Sequence, residues 1–265
     1  MIFILNCMDN MLNYRESFAV APQLKPYIES YMHISGDSAI PSKSILPRPG
    51  TTLSFDFSGK YYNDDTFLKT ALSGFHERPY RISSTNDSTD CVVVKFTAFG
   101  LSRFTSMPMS ELTNQVVDAV NIFGHELHSF YHQLKEAPNR IPLLEDFLLK
   151  YFKTPSQIDT AIFTATSLQD IPLSIRQTER RFKHLVGVDL QTYIRICRFD
   201  KAKTLLLHKN PTRLTDVAYD ANYFDQAHFS NEFKRLTGVR PGKYNACGDA
   251  MFADAKPKDV VLIQF

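Results

Sequence analysis

Two clusters of side chains near the carboxyl end have the types and spacing to do chemistry. Arg176, Glu179, Arg180 and Lys183 form the first; Gln226, Ala227, Ser230 and Asn231, with Lys234 and Arg235 behind them, form the second. A guanidinium presents a planar fork of donors, and a carboxamide sets a donor beside an acceptor. Such groups suit paired recognition of flat hydrogen-bonding edges better than bond breaking. Elsewhere the chain offers little for catalysis: no Gly-rich phosphate loop, nucleophile elbow or Cys-x-x-Cys occurs. The four cysteines, Cys7, Cys91, Cys197 and Cys247, are far apart, match no metal spacing and have no activating neighbours in sequence. His125, His128 and His132 come closer to a ligand set. In "GHELH", however, the second His falls one position short of a His-Glu-x-x-His zinc motif. His128 and His132 keep a helical i, i+4 spacing that suits a metal, but the polar flank of an amphipathic helix is the favoured reading. No metal and no cofactor is expected.

The elements that carry the two clusters are written twice. "FKHLVGVDLQTY" (182–193) returns as "FKRLTGVRPGKY" (233–244), and six of the twelve positions agree without a gap. Chance gives about one match per fifteen to twenty positions, so fewer than one would be expected. Upstream of the second copy, Leu214, Val217, Ala218 and Ala221 line one face of a two-turn helix. Asn222 tolerates the left-handed backbone that ends a helix, and Asp225 is a good N-cap for the next one. In that next helix Phe229, Phe233 and Leu236 point inward, Gln226, Ala227, Ser230 and Asn231 occupy another stripe, and Gly238 ends it. Helix, short turn and second helix with an apolar back and a polar front make a helix-turn-helix.

The first copy follows the same plan. Ser174 and Gln177 form a capping box, Ile175, Thr178, Phe182 and Leu185 are expected to be buried, and Arg176, Glu179, Arg180 and Lys183 stay outside. Between the copies, 189–210 reads as one helix with Tyr193, Ile196, Phe199, Ala202 and Leu206 resting on both units. Two such units on one connector could address consecutive major grooves about 34 Å apart on double-stranded DNA. Charge agrees: 157–247 holds 14 Lys and Arg against 9 Asp and Glu, whereas the remainder holds 16 against 19.

These residues carry a resemblance. The region from about Leu168 to Tyr244 resembles the dual helix-turn-helix domain of AraC/XylS-type transcription regulators, most densely over "DVAYDANYFDQAHFSNEFKRLTGVRPGKY". The resemblance implies DNA binding, with groove-facing positions at Arg176, Glu179 and Arg180 and at Gln226, Ala227, Ser230 and Asn231. Lys183, Lys234, Arg235 and Lys243 are expected on phosphates. There are two departures. Asn222 stands where the family's turn has Gly, and "TSLQDIPL" before Ser174 is about four residues shorter than the family's first helix-turn. "LPRPGTTLSFDF", "ALSGFHERPYRI" and "VVVKFTAFGLSRFTSMPMSELTNQVVD" resemble a β-rich, cupin-like sensor half found in some of these regulators.

The N-terminal pattern supports strands at "MIFILNCMDN", "TTLSFDF" (51–57) and "CVVVKFTAF" (91–99), and helices from Ser110 onward, at 121–136 and 142–152. "KTPSQ" (153–157) reads as a linker, and "DVVLIQF" (259–265) has strand character. No run of eighteen apolar residues or secretory signal is found, so a cytoplasmic, non-membrane protein with reduced thiols is expected. The fold class is α+β: a β-rich domain with trailing helices (1–155), an all-α dual helix-turn-helix domain (156–247) and a tail (248–265). Arg48, Tyr61 and His76, with Tyr62 and Arg81, are candidates for a small-molecule effector pocket. RNA polymerase and a second protomer through the N-terminal domain are candidate partners. Two other classes stay open: a cupin-like metal enzyme with a helical appendage, and a helical interaction module that does not bind DNA.

Overall fold

The computed structural model describes residues 12–37, 43–58, 61–63, 66–84, 88–165, 170–208, 213–244 and 261–263. Its N-terminal half contains β1 (Leu12–Ser17), β2 (Ile28–Gly36), β3 (Lys43–Ile45), β4 (Thr52–Asp56), β5 (Tyr61–Asn63) and β6 (Thr66–Phe67). β7 (Thr70–Ser73), β8 (Tyr80–Ser84), β9 (Thr89–Phe96) and β10 (Val116–Asp118) follow. One sheet runs β1-β2-β9-β4-β7-β10, antiparallel throughout. A second takes the order β11-β3-β8-β5-β6, where β11 (Val261–Ile263) pairs parallel with β3. The tail therefore returns to the N-terminal sheet. The expected strand at 1–10 lies outside the described residues.

The alternating sequence of β4 is that of a half-buried strand, but Thr52, Leu53, Phe55 and Asp56 are all buried and only Ser54 is partly open. The reason lies in the neighbouring layers. α2 (Glu126–Glu136) and α3 (Arg140–Tyr151) cover one face of the first sheet, with Phe130 edge-on to Phe55 and Tyr131 donating its hydroxyl to the Asp56 carbonyl at 2.7 Å. Arg140 clamps the start of α3 to β9 by two hydrogen bonds to Asp90, at 2.7 and 2.9 Å. Helical structure begins later than the expected Ser110. A 3₁₀ turn at Met109–Leu112 and β10 come first, and Gly124, at φ +77°, divides the expected helix into α1 (Val120–Phe123) and α2. No helix among the described residues is long and apolar enough to cross a membrane.

The C-terminal half is helical: α4 (Gln157–Thr164), α5 (Ile175–Val186), α6 (Leu190–His208), α7 (Leu214–Asp220) and α8 (Gln226–Thr237). α6 is the expected connector. Ile196, Phe199, Ala202 and Leu206 are buried along it, and α5 and α7 both pack on it. Its start is fixed by Asp189, whose carboxylate accepts the Thr192 backbone N–H at 2.8 Å; that bond, foremost, lowers the Asp189 pKa. The helical core is continuous with the N-terminal half, because Leu46, Phe75 and Ala98 belong to the same apolar cluster as Phe182, Ile196 and Phe229.

Candidate nucleic-acid interface

The second unit forms as its residues dictate. Val217, Ala218 and Ala221 are buried, and the small Ala218 lets the chain after α7 close back, with Tyr223 N–H donating to its carbonyl at 2.9 Å. Asn222 takes the left-handed conformation, φ +62°, so it fills the role of a turn glycine. Asp225 caps α8 by accepting the His228 N–H at 2.7 Å. Phe229, Phe233 and Leu236 are buried, each such side chain stabilising the unit by roughly 1.5–3 kcal/mol. Gln226, Ala227, Asn231, Lys234 and Arg235 are exposed and Ser230 is half-exposed. Gln226 also meets α7, its carboxamide oxygen accepting from Thr215 Oγ1 at 2.8 Å. Behind this flank, burial and the neighbouring Glu232, which accepts from the hydroxyl at 2.8 Å, raise the Tyr223 pKa, so the phenol stays protonated as an internal brace.

In the first unit the capping box is present: Gln177 N–H donates to Ser174 Oγ, and Ser174 N–H donates to Gln177 Oε1 at 3.0 Å. Thr178, Phe182 and Leu185 are buried; Arg176, Glu179, Arg180 and Lys183 are exposed. With the start of α6 around Asp189–Gln191 they border an open concavity of about 860 Å³. One expectation needs correction. Ile175 is not buried but 65% exposed. The fifty-one-residue offset of the repeat explains it, because it places Ile175 on Gln226, Arg176 on Ala227, Glu179 on Ser230 and Arg180 on Asn231. Ile175 therefore belongs to the outward flank, where an apolar side chain suits a thymine methyl. Arg181, next to Arg180 on α5, is turned inward, away from the flank. It donates Nε and Nη2 to Asp159 at 2.7 and 3.0 Å.

Asp159 on α4 is 2% exposed and also holds Arg103 at 3.3 Å. Burial alone would raise its pKa; the bonds and charge of Arg181, with Arg103 behind, outweigh that and lower it. The leading segment of the first unit is also unlike that of the second. Ten residues separate α4 from α5, against five between α7 and α8, and no α-helix occurs among the described residues of that connector.

Of the effector candidates, Arg48 and His76 come together, both buried, at one small cavity with Ser73 and Tyr80. Arg48 donates to the Thr51 and Phe96 carbonyls at 3.0 and 3.1 Å and pairs with Glu29, so its fork is largely engaged. His76 stacks on Tyr80, and burial lowers its pKa to about 4. Tyr61 and Tyr62 lie on β5, with side chains outside the described residues, and Arg81 is exposed. The histidines of α2 stay on its exposed flank, and among the described residues no three potential ligands stand together for a metal. Sequence reasoning missed Ile175 and Asp159, and also two exposed aromatics at the second turn, Tyr219 and Phe224, the latter 92% exposed. The repeat offset was the signal available for Ile175.

Residues 169–246 match a family described as a helix-turn-helix domain, and residues 16–118 match a domain of unknown function (DUF6597). The chain is 31% identical over 107 residues to the HTH-type transcriptional activator RhaS of Escherichia coli O139:H28 (strain E24377A / ETEC), covering 40% of this chain and 36% of RhaS. It is 36% identical over 76 residues to the HTH-type transcriptional regulator MtrA of Neisseria gonorrhoeae, 29% of this chain and 25% of MtrA. The chain thus spans about a third or less of the length of these relatives. Among solved structures, ToxT of Vibrio cholerae O395 aligns over 79% of this chain and 94% of its own, at 14% identity and a TM-score of 0.38. The C-terminal domain of AraT, a response regulator from Geobacillus stearothermophilus, aligns over 33% and 68% at 26% identity and a TM-score of 0.26. With the capped, outward-facing α8 and its repeat in α5, the helix-turn-helix match and the sequence likeness to RhaS and MtrA identify residues 169–246 as an AraC-type helix-turn-helix domain.

Proposed function

We propose that the chain is a sequence-specific, DNA-binding transcription regulator that lays α5 and α8 in consecutive major grooves. The observation that carries this reading is the matched exposure of the two flanks at one repeat offset, each backed by a buried apolar stripe. Arg176 and Arg180 suit the O6 and N7 acceptors of guanine, while Gln226 and Asn231 suit the N6 and N7 edge of adenine. Lys183, Lys234, Arg235 and Lys243 are exposed and suit phosphates, which supply affinity without sequence preference. A small effector or a second protomer at the N-terminal half would act by favouring one arrangement of the two halves.

The test replaces Arg180 and Asn231 together with Ala and measures binding to genomic fragments against a random-sequence competitor. Each lost bidentate pair costs about 1–3 kcal/mol of discrimination, so preference should drop roughly 30-fold or more while residual salt-dependent binding persists. Unchanged affinity and preference would remove α5 and α8 from the grooves and favour an interaction module.

A further inference from the structure

The two copies of the repeated phrase end alike and stand in different surroundings. Gly187 and Gly238 both close their helices with left-handed backbone, at φ +104° and +80°. A Cβ on Gly238 would meet open space; one on Gly187 would come within 2.9 Å of the Met109 carbonyl and 3.0 Å of Thr113 Oγ1. Thr113 also donates its hydroxyl to the Gly187 carbonyl at 2.8 Å. The 3₁₀ turn at Met109–Leu112 packs along α5. Farther up the same helix, Phe182 meets Phe99 edge-on at 5.6 Å, and Arg181 reaches Arg103 through Asp159. Phe99, Arg103, Met109 and Thr113 all belong to the N-terminal half. Among the described residues α8 packs instead on its own α7, and Tyr223 of the intervening turn lies against Phe229 at 5.3 Å.

We propose that the N-terminal half acts as a brace for the first unit, so that segment 99–113 sets the position of α5 on DNA while α8 is positioned independently. The proposal rests on the DNA-reading function and adds its regulation. A ligand or partner that moves segment 99–113 changes the first unit's grip and leaves the second unit's grip alone. Arg103, Thr113 and Gly187 are positioning residues in this scheme, since each is turned toward protein and not toward the exposed flank.

Gly187→Ala and Gly238→Ala form a matched pair in the full-length chain, because both place a Cβ on left-handed backbone and only the first adds a collision with the N-terminal half. Amide hydrogen exchange of α5 and α8 is measured in both, together with footprinting on a bound genomic fragment. Gly187→Ala should speed exchange in α5 at least tenfold with α8 unchanged, and should remove protection over one of two adjacent grooves. Gly238→Ala should leave α5 exchange as in the native chain. Thr113→Val, which keeps shape and loses one hydrogen bond, should move α5 exchange in the same direction by about threefold, and it carries the comparison should Gly187→Ala not fold. Equal α5 exchange in the matched pair, or native α5 exchange in Thr113→Val, overturns the scaffold. A native chain that protects no DNA overturns the DNA-reading function instead, and the exchange comparison still decides the scaffold.

Discussion

Replacing Asp159 with Asn removes the charge at the centre of the link between the halves and keeps its shape. The carboxylate is 2% exposed and answers two guanidiniums: Arg103, itself buried, and Arg181, whose side chain is 38% exposed. Breaking a fully buried pair costs about 3–5 kcal/mol because a lone charge is left behind. Arg181 can turn to water, so only Arg103 is stranded, and the expected loss is about 2–3 kcal/mol. At about 2–4 °C per kcal/mol for a domain of this size, the melting temperature at pH 7 should fall by roughly 5–10 °C. The pH dependence follows from the lowered pKa of Asp159. A depressed carboxylate contributes fully above the unfolded value of about 4 and loses that contribution as pH falls toward the folded value, so the gap between native and Asn chains should narrow below about pH 4. The double change Asp159→Leu with Arg103→Met leaves no stranded buried charge and should recover at least half of the loss. Urea unfolding of the three chains from pH 7 to pH 3 checks this. A loss below about 1 kcal/mol, or a gap that widens on acidification, refutes the claim that this network holds α5 to the N-terminal half.

Other expectations are independent of that network. His76 has a pKa lowered to about 4 by burial, against about 6.5 unfolded, so between these values the unfolded chain takes up a proton that the folded chain refuses. Native stability should therefore fall by about 3 kcal/mol as pH drops from 6.5 to 4, and His76→Asn should lack this slope in urea titrations. If Lys183, Lys234, Arg235 and Lys243 each neutralise one phosphate, log affinity should fall with log salt at a slope of about −3.6. That is roughly 150-fold between 50 and 200 mM, and a flat salt response would speak against phosphate contact. Ser174→Ala removes half of the capping box and should cost about 1 kcal/mol, read as a shift in the urea midpoint, with α5 fraying at its first turn.

The α7–turn–α8 unit was legible because its determinants are local. Asn222, Asp225 and the 3.6-residue spacing of Phe229, Phe233 and Leu236 act within a few residues of one another, and backbone sterics and capping bonds do not need the rest of the chain. The same holds for the capping box at Ser174 and the connector α6. The effector candidates were legible only in part: Arg48 and His76 meet, but burial occupies one fork and depresses the other's basicity, which spacing along the chain cannot express.

Arg181 shows where sequence stopped. Beside Arg180 it reads as one more exposed cation, and only Asp159, twenty-two residues upstream and held also by Arg103 of the N-terminal half, turns it inward. Gly187 and Gly238 are the same letter in the same phrase, yet one is a contact between halves and the other faces open space. Sequence by itself determined the two outward flanks, Ile175 apart, and their shared offset, because helix periodicity fixes which side chains lie together. The tertiary structure decided what supports each flank, because packing joins segments whose proximity no short-range pattern encodes.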